Sequence, residues 1–546
     1  MNIRCSKKCI NRFRIGLWLG FMMASATGHG YIKNGGEGGN INDPAFWGLT
    51  EFGTSDYLRF HYSYSSPLAL SESWTCSYPI QLYSYFNGEL NFLGKTLSAQ
   101  KLILVGEDAQ VRFTGGTITG GTVQVYSSKN NFSNWRNAAR LTVDGAQTRV
   151  EAYAALDYGP VEHGKGSSTI TVQNGAVWRG AFRIGDNMPA WSNNVILVTG
   201  EGSRWEIPSG VNAEVGTGGA SNLFCVVDGG TLVNDGTIRF GYDRGWNKGG
   251  GDFNALVVDA ATLSSENGGI RSLGSSSNTI EIVNGSTATV SSIHLGWRAH
   301  YNGGRTYGNR LRVAGEGTTM TMIKMLAVGY ENSDANEVIV EDGARLFATN
   351  SADASIRVGY YGNGFGNCLR VRSGAVVTAS ALLFGSSGQA TGNRLEVENG
   401  EVYCNVRYPG STAEPPLAFS NDESGEMVLR GTNSHVRASY FVSAPTLRFE
   451  IPDEGLAPQR ATSAILHVSY VQVAPSAMEV VVSGNCPKGK WLLYSWNNSA
   501  KGETAEQIAQ RVTLTGPGAG RSSIVTSENK VYLKVRSTDG ILLIVR

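Results

Sequence analysis

The sequence predicts an all-β fold, a right-handed parallel β-helix, and three observations predict it. The first is a recurring Asn-x-aliphatic-x-aliphatic segment, opened by Asn194, Asn222, Asn254, Asn278, Asn309, Asn336, Asn367 and Asn393. In a strand, residues i, i+2 and i+4 share one face. Each amide therefore points inward beside two aliphatics, as in Asn194, Ile196 and Val198. A buried amide is costly unless its hydrogen bonds are met. Stacking each Asn on the Asn one coil away meets them, which makes an asparagine ladder. The second observation is the spacing of 28, 32, 24, 31, 27, 31 and 26 residues, about 28 on average. Periods of 20–50 residues mark solenoids, propellers or arrays. A propeller blade needs four antiparallel strands, whereas each period here holds a ladder strand, a turn, a second fixed element and a variable loop. The third is that second element, an apolar residue followed by Gly: Ile184-Gly185, Val215-Gly216, Phe240-Gly241, Leu273-Gly274, Leu295-Gly296, Val328-Gly329, Val358-Gly359 and Phe384-Gly385. Turns such as Asn174-Gly175, Asn284-Gly285 and Asp342-Gly343 separate the two elements. Gly and Asn tolerate the positive φ of tight corners, and the chain carries 70 Gly.

Taken in chain order, residues 1–26 read as a signal peptide. Arg4, Lys7, Lys8, Arg12 and Arg14 precede an apolar run from Ile15 to Met23, and Ala24-Ser25-Ala26 is a small-residue cleavage site. The run is short of a spanning helix, and no later stretch is long enough, so the mature chain is expected to be exported without a transmembrane segment. Residues 27–100 are aromatic and irregular, with Tyr57, Phe60, Tyr62, Tyr64, Trp74, Tyr78, Tyr83, Tyr85 and Phe86. They read as an N-terminal cap, since the end of a solenoid needs a terminating face. Residues 101–440 are the repeats. Ala139-Leu141-Val143, Ser168-Ile170-Val172 and Gly425-Met427-Leu429 fill the same slots as the Asn segments. Eleven strands at about 4.8 Å make a rod core on the order of 48 Å long. Residues 441–546 read as a C-terminal β cap, with strands at Met478–Val482, Trp491–Ser495, Val531–Val535 and Ile541–Val545 and one short helix near Thr504 to Arg511.

Between the ladder aliphatics lie outward positions. In the later coils these carry opposite charges in vertical register: Arg310 before Glu337, Glu281 before Arg312, Arg370 before Glu396. In the early coils the same slots hold Val195, Leu197, Leu223, Cys225, Ala255 and Val257. An apolar stripe needs a cover, either another segment of the chain or a partner or self-association face. The net charge is +1, with no basic stripe interleaved with aromatics, which argues against nucleic acid. Cys76, Cys225, Cys368, Cys404 and Cys486 follow the signal. Their odd number and wide spacing give neither a disulfide framework nor a metal site.

The Asn-x-Leu-x-Val, Asn/Asp-Gly and Val-Gly units resemble those of autotransporter passengers and related bacterial proteins with autotransporter-type β-strand repeats, over residues 100–440. The resemblance implies a surface adhesin or structural stalk, at the cell surface, outside the cell or in the periplasm. Two departures accompany it. No barrel-like run of alternating strands and no apolar sorting helix follow residue 440, so the chain looks like a passenger without its own translocator.

Other right-handed β-helices cleave polysaccharides, so a lyase or glycosidase is the alternative function. A glycosidase needs two placed carboxylates. The sequence has no Asp-Asp pair, its Gly-His-Gly lies at Gly28–Gly30 beside the cleavage point, and Gly249-Gly250-Gly251-Asp252 occurs once. The segment Ser291–Tyr301 offers His294, Arg298 and His300, read as structural and loop residues. No cofactor or metal is expected. The more suggestive residues follow the Val-Gly elements: Tyr242, Trp246, Trp297, Tyr301, Tyr307, Tyr330, Tyr360, Tyr361 and Phe365. Aligned from coil to coil, they either shield a corner or offer flat faces to an extracellular glycan or surface protein. Tyr242, Trp246, Trp297, Tyr301, Tyr330, Tyr360 and Tyr361 are the candidate ligand-binding set.

Overall fold

The computed structural model describes residues 30–537 other than 53–56, 107–108, 127–137, 157–166, 186–192, 242–250, 298–304, 350–353, 388–390, 405–415, 420–423, 443–445, 456–462 and 500–501. The chain is a parallel β-helix. Each coil lays down three strands, one on each of three long parallel sheets. One coil shows the plan: Leu223–Val227 on the ladder sheet, Thr231–Asn234 on the second sheet and Thr237–Phe240 on the third. Each pairs in parallel with its counterpart one coil on, as in Leu223 with Ala255, Thr231 with Thr262 and Thr237 with Gly269.

The ladder register is the one the sequence sets. Ile170, Ile196, Phe224, Leu256, Ile280, Leu311, Val338, Leu369, Leu395 and Met427 stand in one continuous column. The eight asparagines are buried and joined side chain to side chain. Each Nδ2 donates to the Oδ1 of the Asn on the following coil, at 2.9–3.2 Å from Asn194 to Asn393. From Asn194 to Asn336 the backbone N–H donates to the same acceptor. One amide thus satisfies two donors of its neighbour in a site without solvent.

The apolar-Gly motif is coupled to this ladder. Gly329 has φ +71°, and a Cβ there would lie 2.3 Å from Cγ of Asn367. Gly216 faces Asn254 and Gly359 faces Asn393 in the same way. The glycine is needed because the third sheet ends where the ladder amide of a later coil lies against the backbone.

The second sheet was not legible as a fixed element. Its strands are short, as in Arg204–Ile207 and Thr319–Met322, and no repeated polar residue marks them. Their inward residues, Trp178, Trp205, Leu232, Leu263, Ala288, Met320, Leu346 and Val377, are buried. Trp178 and Trp205 stack with centroids 4.8 Å apart.

The coil also runs across both expected boundaries, at residues 100 and 440. Gly30–Gly36 pairs in parallel with Tyr57–Tyr64, which pairs with Ile80–Asn91. Phe60, Phe86 and Phe92 of this segment are core residues. The same architecture without Asn or Gly markers has no visible period. Downstream, Thr446–Ile451, Ala477–Val482 and Val512–Thr515 extend the ladder sheet. Antiparallel pairing is confined, among the described residues, to the end. Lys530–Val535 pairs with both Gly489–Ser499 and Ser522–Ser527, turning the chain back across the last coil. The short helix is Ala505–Ala509, closed by a capping box of Thr504 and Gln507. Among the described residues no helix is long and apolar enough to cross a membrane.

Outward charges on the ladder sheet pair as alternating columns. Arg310 reaches Glu337 at 3.1 Å and Arg370 reaches Glu396 at 2.7 Å. Arg312 stands beside Glu281 in register but bonds onward to Glu341 at 2.6 Å. The early apolar stripe is half-buried by its own vertical stacking, Val195 on Leu223 on Ala255 and Leu197 on Cys225 on Val257. The five described cysteines are free thiols. Burial pushes Cys76 and Cys225 up to about 11 and Cys368 and Cys404 up to about 12. Cys368 is buried between its register neighbours Glu337 and Arg394.

Candidate functional site

The third sheet carries a different outer face. Its inward residues are the aliphatics before each Gly. The residue between two of them must point out. In register, these outward positions are Arg239, Arg271 and His294 on three successive coils, then Ala327 and Arg357.

Just beyond this column the strands end in aromatics. Trp297 closes the strand Thr287–Trp297, Tyr330 follows Met325–Val328, and Tyr360 closes Ser355–Tyr360. His294 lies parallel to Tyr330 at 5.0 Å. Trp297 meets Tyr330 at 4.9 Å, Tyr330 meets Tyr360 at 5.4 Å, and Tyr361 lies 6.2 Å from Tyr330 at 20°. Tyr361 is 56% exposed, held out by a backbone φ of 63°. Guanidinium groups cover two of the rings: Arg271 lies 4.6 Å from the Trp297 centroid and Arg357 4.5 Å from that of Tyr360.

Burial, with the charge of Arg271 beside it, pushes His294 down to about 4, so the imidazole is neutral near pH 7. Burial and the like charge of Arg239 push the Arg271 guanidinium below its usual range, against a smaller opposing effect of Tyr330. Burial pushes the Tyr330 phenol up. Arg271 Nε and His294 Nδ1 are buried without a hydrogen-bond partner.

Of the sequence-predicted set, Trp297, Tyr330, Tyr360 and Tyr361 form one contiguous cluster. Tyr242, Trp246 and Tyr301 lie outside the described residues, as do Arg298 and His300. Tyr307 belongs to a separate two-residue pairing, Thr306–Tyr307 with Ser333–Asp334, and Phe365 packs near Arg305. Sequence reasoning missed Arg239, Arg271 and Arg357. The signal was present: Ile238-Arg239-Phe240-Gly241, Ile293-His294-Leu295-Gly296 and Ile356-Arg357-Val358-Gly359 share a basic residue between the two apolar residues ahead of Gly.

The same face continues toward the N-terminus as an open groove of about 590 Å³, lined by Gln124, Tyr153 and Arg183 among others. Toward the C-terminus, Tyr440 and Tyr470 stack at 5.4 Å and 10°. The arrangement can stack flat rings and donate hydrogen bonds along the rod. Among the described residues, no group of three His, Cys, Asp or Glu is placed to hold a metal ion.

No protein-family model, no curated protein and no solved structure matches this chain.

Proposed function

We propose that this protein is an exported, adhesin-like β-helix that binds extracellular glycan along the outer face of its third sheet. The observation that carries this reading is the run of Trp297, Tyr330, Tyr360 and Tyr361, stacked over successive coils with Tyr361 open to solvent. Sugar rings present an apolar face that aromatic rings accept, and their hydroxyls suit nearby donors. Export rests on the basic and apolar pattern of residues 1–26. The autotransporter-like repeat supports a surface role.

Binding is preferred to polysaccharide cleavage, and the electrostatics of four ladder-sheet carboxylates argue against a general acid among them. A general acid in glycoside hydrolysis needs a raised pKa. Asp144, Glu341, Glu396 and Glu450 are instead held below the usual carboxylate range, where partner bonds outweigh the upward push of burial.

The test is retention of purified residues 27–546 on a panel of immobilised glycans, with the eluate assayed for cleaved product. Retention without product is expected. The triple variant Trp297→Ala, Tyr330→Ala, Tyr360→Ala should lose retention while keeping the β-sheet circular dichroism of the parent. Retention unchanged in a folded triple variant would overturn the assignment of this face, and cleaved product would establish the enzyme instead.

A further inference from the structure

We infer that the ligand of this face is an anionic polysaccharide, whose carboxylate or sulfate groups are received by Arg271 and Arg357; this rests on the glycan-binding reading above. Many outward arginines of the chain are neutralised. Arg112, Arg310, Arg312, Arg370, Arg372, Arg394, Arg430 and Arg448 on the ladder sheet each bond a carboxylate. On the third sheet Arg183 bonds Glu214 at 2.7 Å. Arg271 and Arg357 are not among them. Among the described residues neither makes an ion pair, and both lie on aromatic rings.

Their setting deepens the anomaly. Arg239, Arg271 and His294 are direct neighbours across adjacent strands. Like charges placed opposite each other across a sheet are destabilising, and the ladder sheet avoids this by alternating signs. Here Glu214 stands on one side of Arg239, but Arg271 stands between a second guanidinium and a neutral imidazole, with no carboxylate beside it in register. The buried Nε of Arg271 has no acceptor, which leaves a donor unsatisfied in the free protein. A charged oxygen from outside answers the charge of Arg271. The planar guanidinium fork matches carboxylate or sulfate oxygens.

Spacing favours a polymer. Arg271 and Arg357 stand three coils apart in one register column, by way of His294 and Ala327. Three strand spacings come to roughly 14 Å. A chain lying along the rod would meet one arginine, then the rings of Trp297, Tyr330 and Tyr360, then the second arginine.

The test is the affinity of residues 27–546 for four probes: alginate, carboxyl-reduced alginate, dextran sulfate and dextran. The expected result is binding to alginate or dextran sulfate that weakens as salt rises, with at least tenfold weaker binding to the matching uncharged polymer. The alginate and dextran sulfate arms separate carboxylate from sulfate recognition. Arg271→Gln and Arg357→Gln should each weaken binding to the charged polymer about tenfold and leave the uncharged polymer unaffected. Charged and uncharged forms bound equally would overturn the anionic assignment while leaving glycan binding standing. So would unaltered affinity in a folded Arg271→Gln, Arg357→Gln double variant. Retention of none of the four, nor of any glycan on the broader panel, would overturn both readings.

Discussion

Removing one amide from the middle of the ladder gives a prediction with a calculable size. Asn309 accepts from the Asn278 backbone N–H at 3.2 Å and from Asn278 Nδ2 at 3.0 Å. It donates to Asn336 Oδ1 at 3.1 Å and to the Ser275 carbonyl at 3.2 Å. Asn309→Ala removes all four. Some partners keep a bond: Asn278 Nδ2 still donates to Ser275 Oγ, and Asn336 Oδ1 still accepts the Asn309 backbone N–H. The Asn278 backbone N–H is left buried with nothing to donate to. An orphaned buried donor costs about 1–3 kcal/mol, the remaining lost bonds about 1 kcal/mol each, and the small void adds to both. The expected loss is about 4–6 kcal/mol. It is read as a lower urea midpoint with roughly 100-fold or greater acceleration of amide hydrogen exchange at Asn278 and Leu311. Asn309→Asp separates hydrogen bonding from volume. Its second oxygen would face the acceptors Asn336 Oδ1 and Ser275 O, and its buried charge raises its pKa in the folded state. A folded pKa above the unfolded one means the protonated form is preferred. That variant is therefore most stable below the unfolded pKa and loses stability as pH rises through the folded value. A loss under about 1 kcal/mol for Asn309→Ala, with exchange unchanged, would refute the ladder as a stabilising device.

Gly329→Ala places a Cβ 2.3 Å from Cγ of Asn367 at a φ of +71°, so thermal unfolding should show a loss of about 2 kcal/mol or more, at least that of a strained backbone position. His294 is neutral when buried, with its pKa down to about 4 from 6.5. Stability is full above 6.5, falls between 6.5 and 4 as only the unfolded chain takes up the proton, and is level below that. The drop is at most about 3 kcal/mol, and His294→Phe should flatten this part of the pH-stability profile. Glu341 bonds Arg312 and Arg372 with its side chain only 7% exposed. Burial alone would raise its pKa, but the two arginines outweigh it and hold it below 4.5. Its contribution is present above 4.5 and lost as pH falls through the lowered value. Glu341→Gln should cost about 1–3 kcal/mol near pH 7 and remove that acid limb.

The ladder sheet was legible because its chemistry is repeated: a polar residue in a buried slot recurs only if its neighbours pay for it. The third sheet was half legible, through the Gly that the Asn of a later coil requires. The second sheet left no such mark, since Trp205, Leu232 and Met320 fill the core by volume alone and any apolar residue of suitable size serves. The segments before residue 100 and after 440 escaped for the same reason, as Phe60 or Phe449 carries no periodic signature. At the candidate site the aromatics stood out by type. The arginines did not, because a cation on a strand is usually paired, and only the three-dimensional register shows that Arg271 meets Arg239 and His294 rather than a carboxylate.

The most direct measurement is hydrogen-exchange footprinting of residues 27–546 with and without a retained glycan. Slower exchange at 293–297, 326–331 and 356–361, with the ladder strands Val195–Thr199 and Leu223–Val227 unchanged, is the predicted result. Protection on the ladder sheet alone, or no glycan retained to add, would contradict the account.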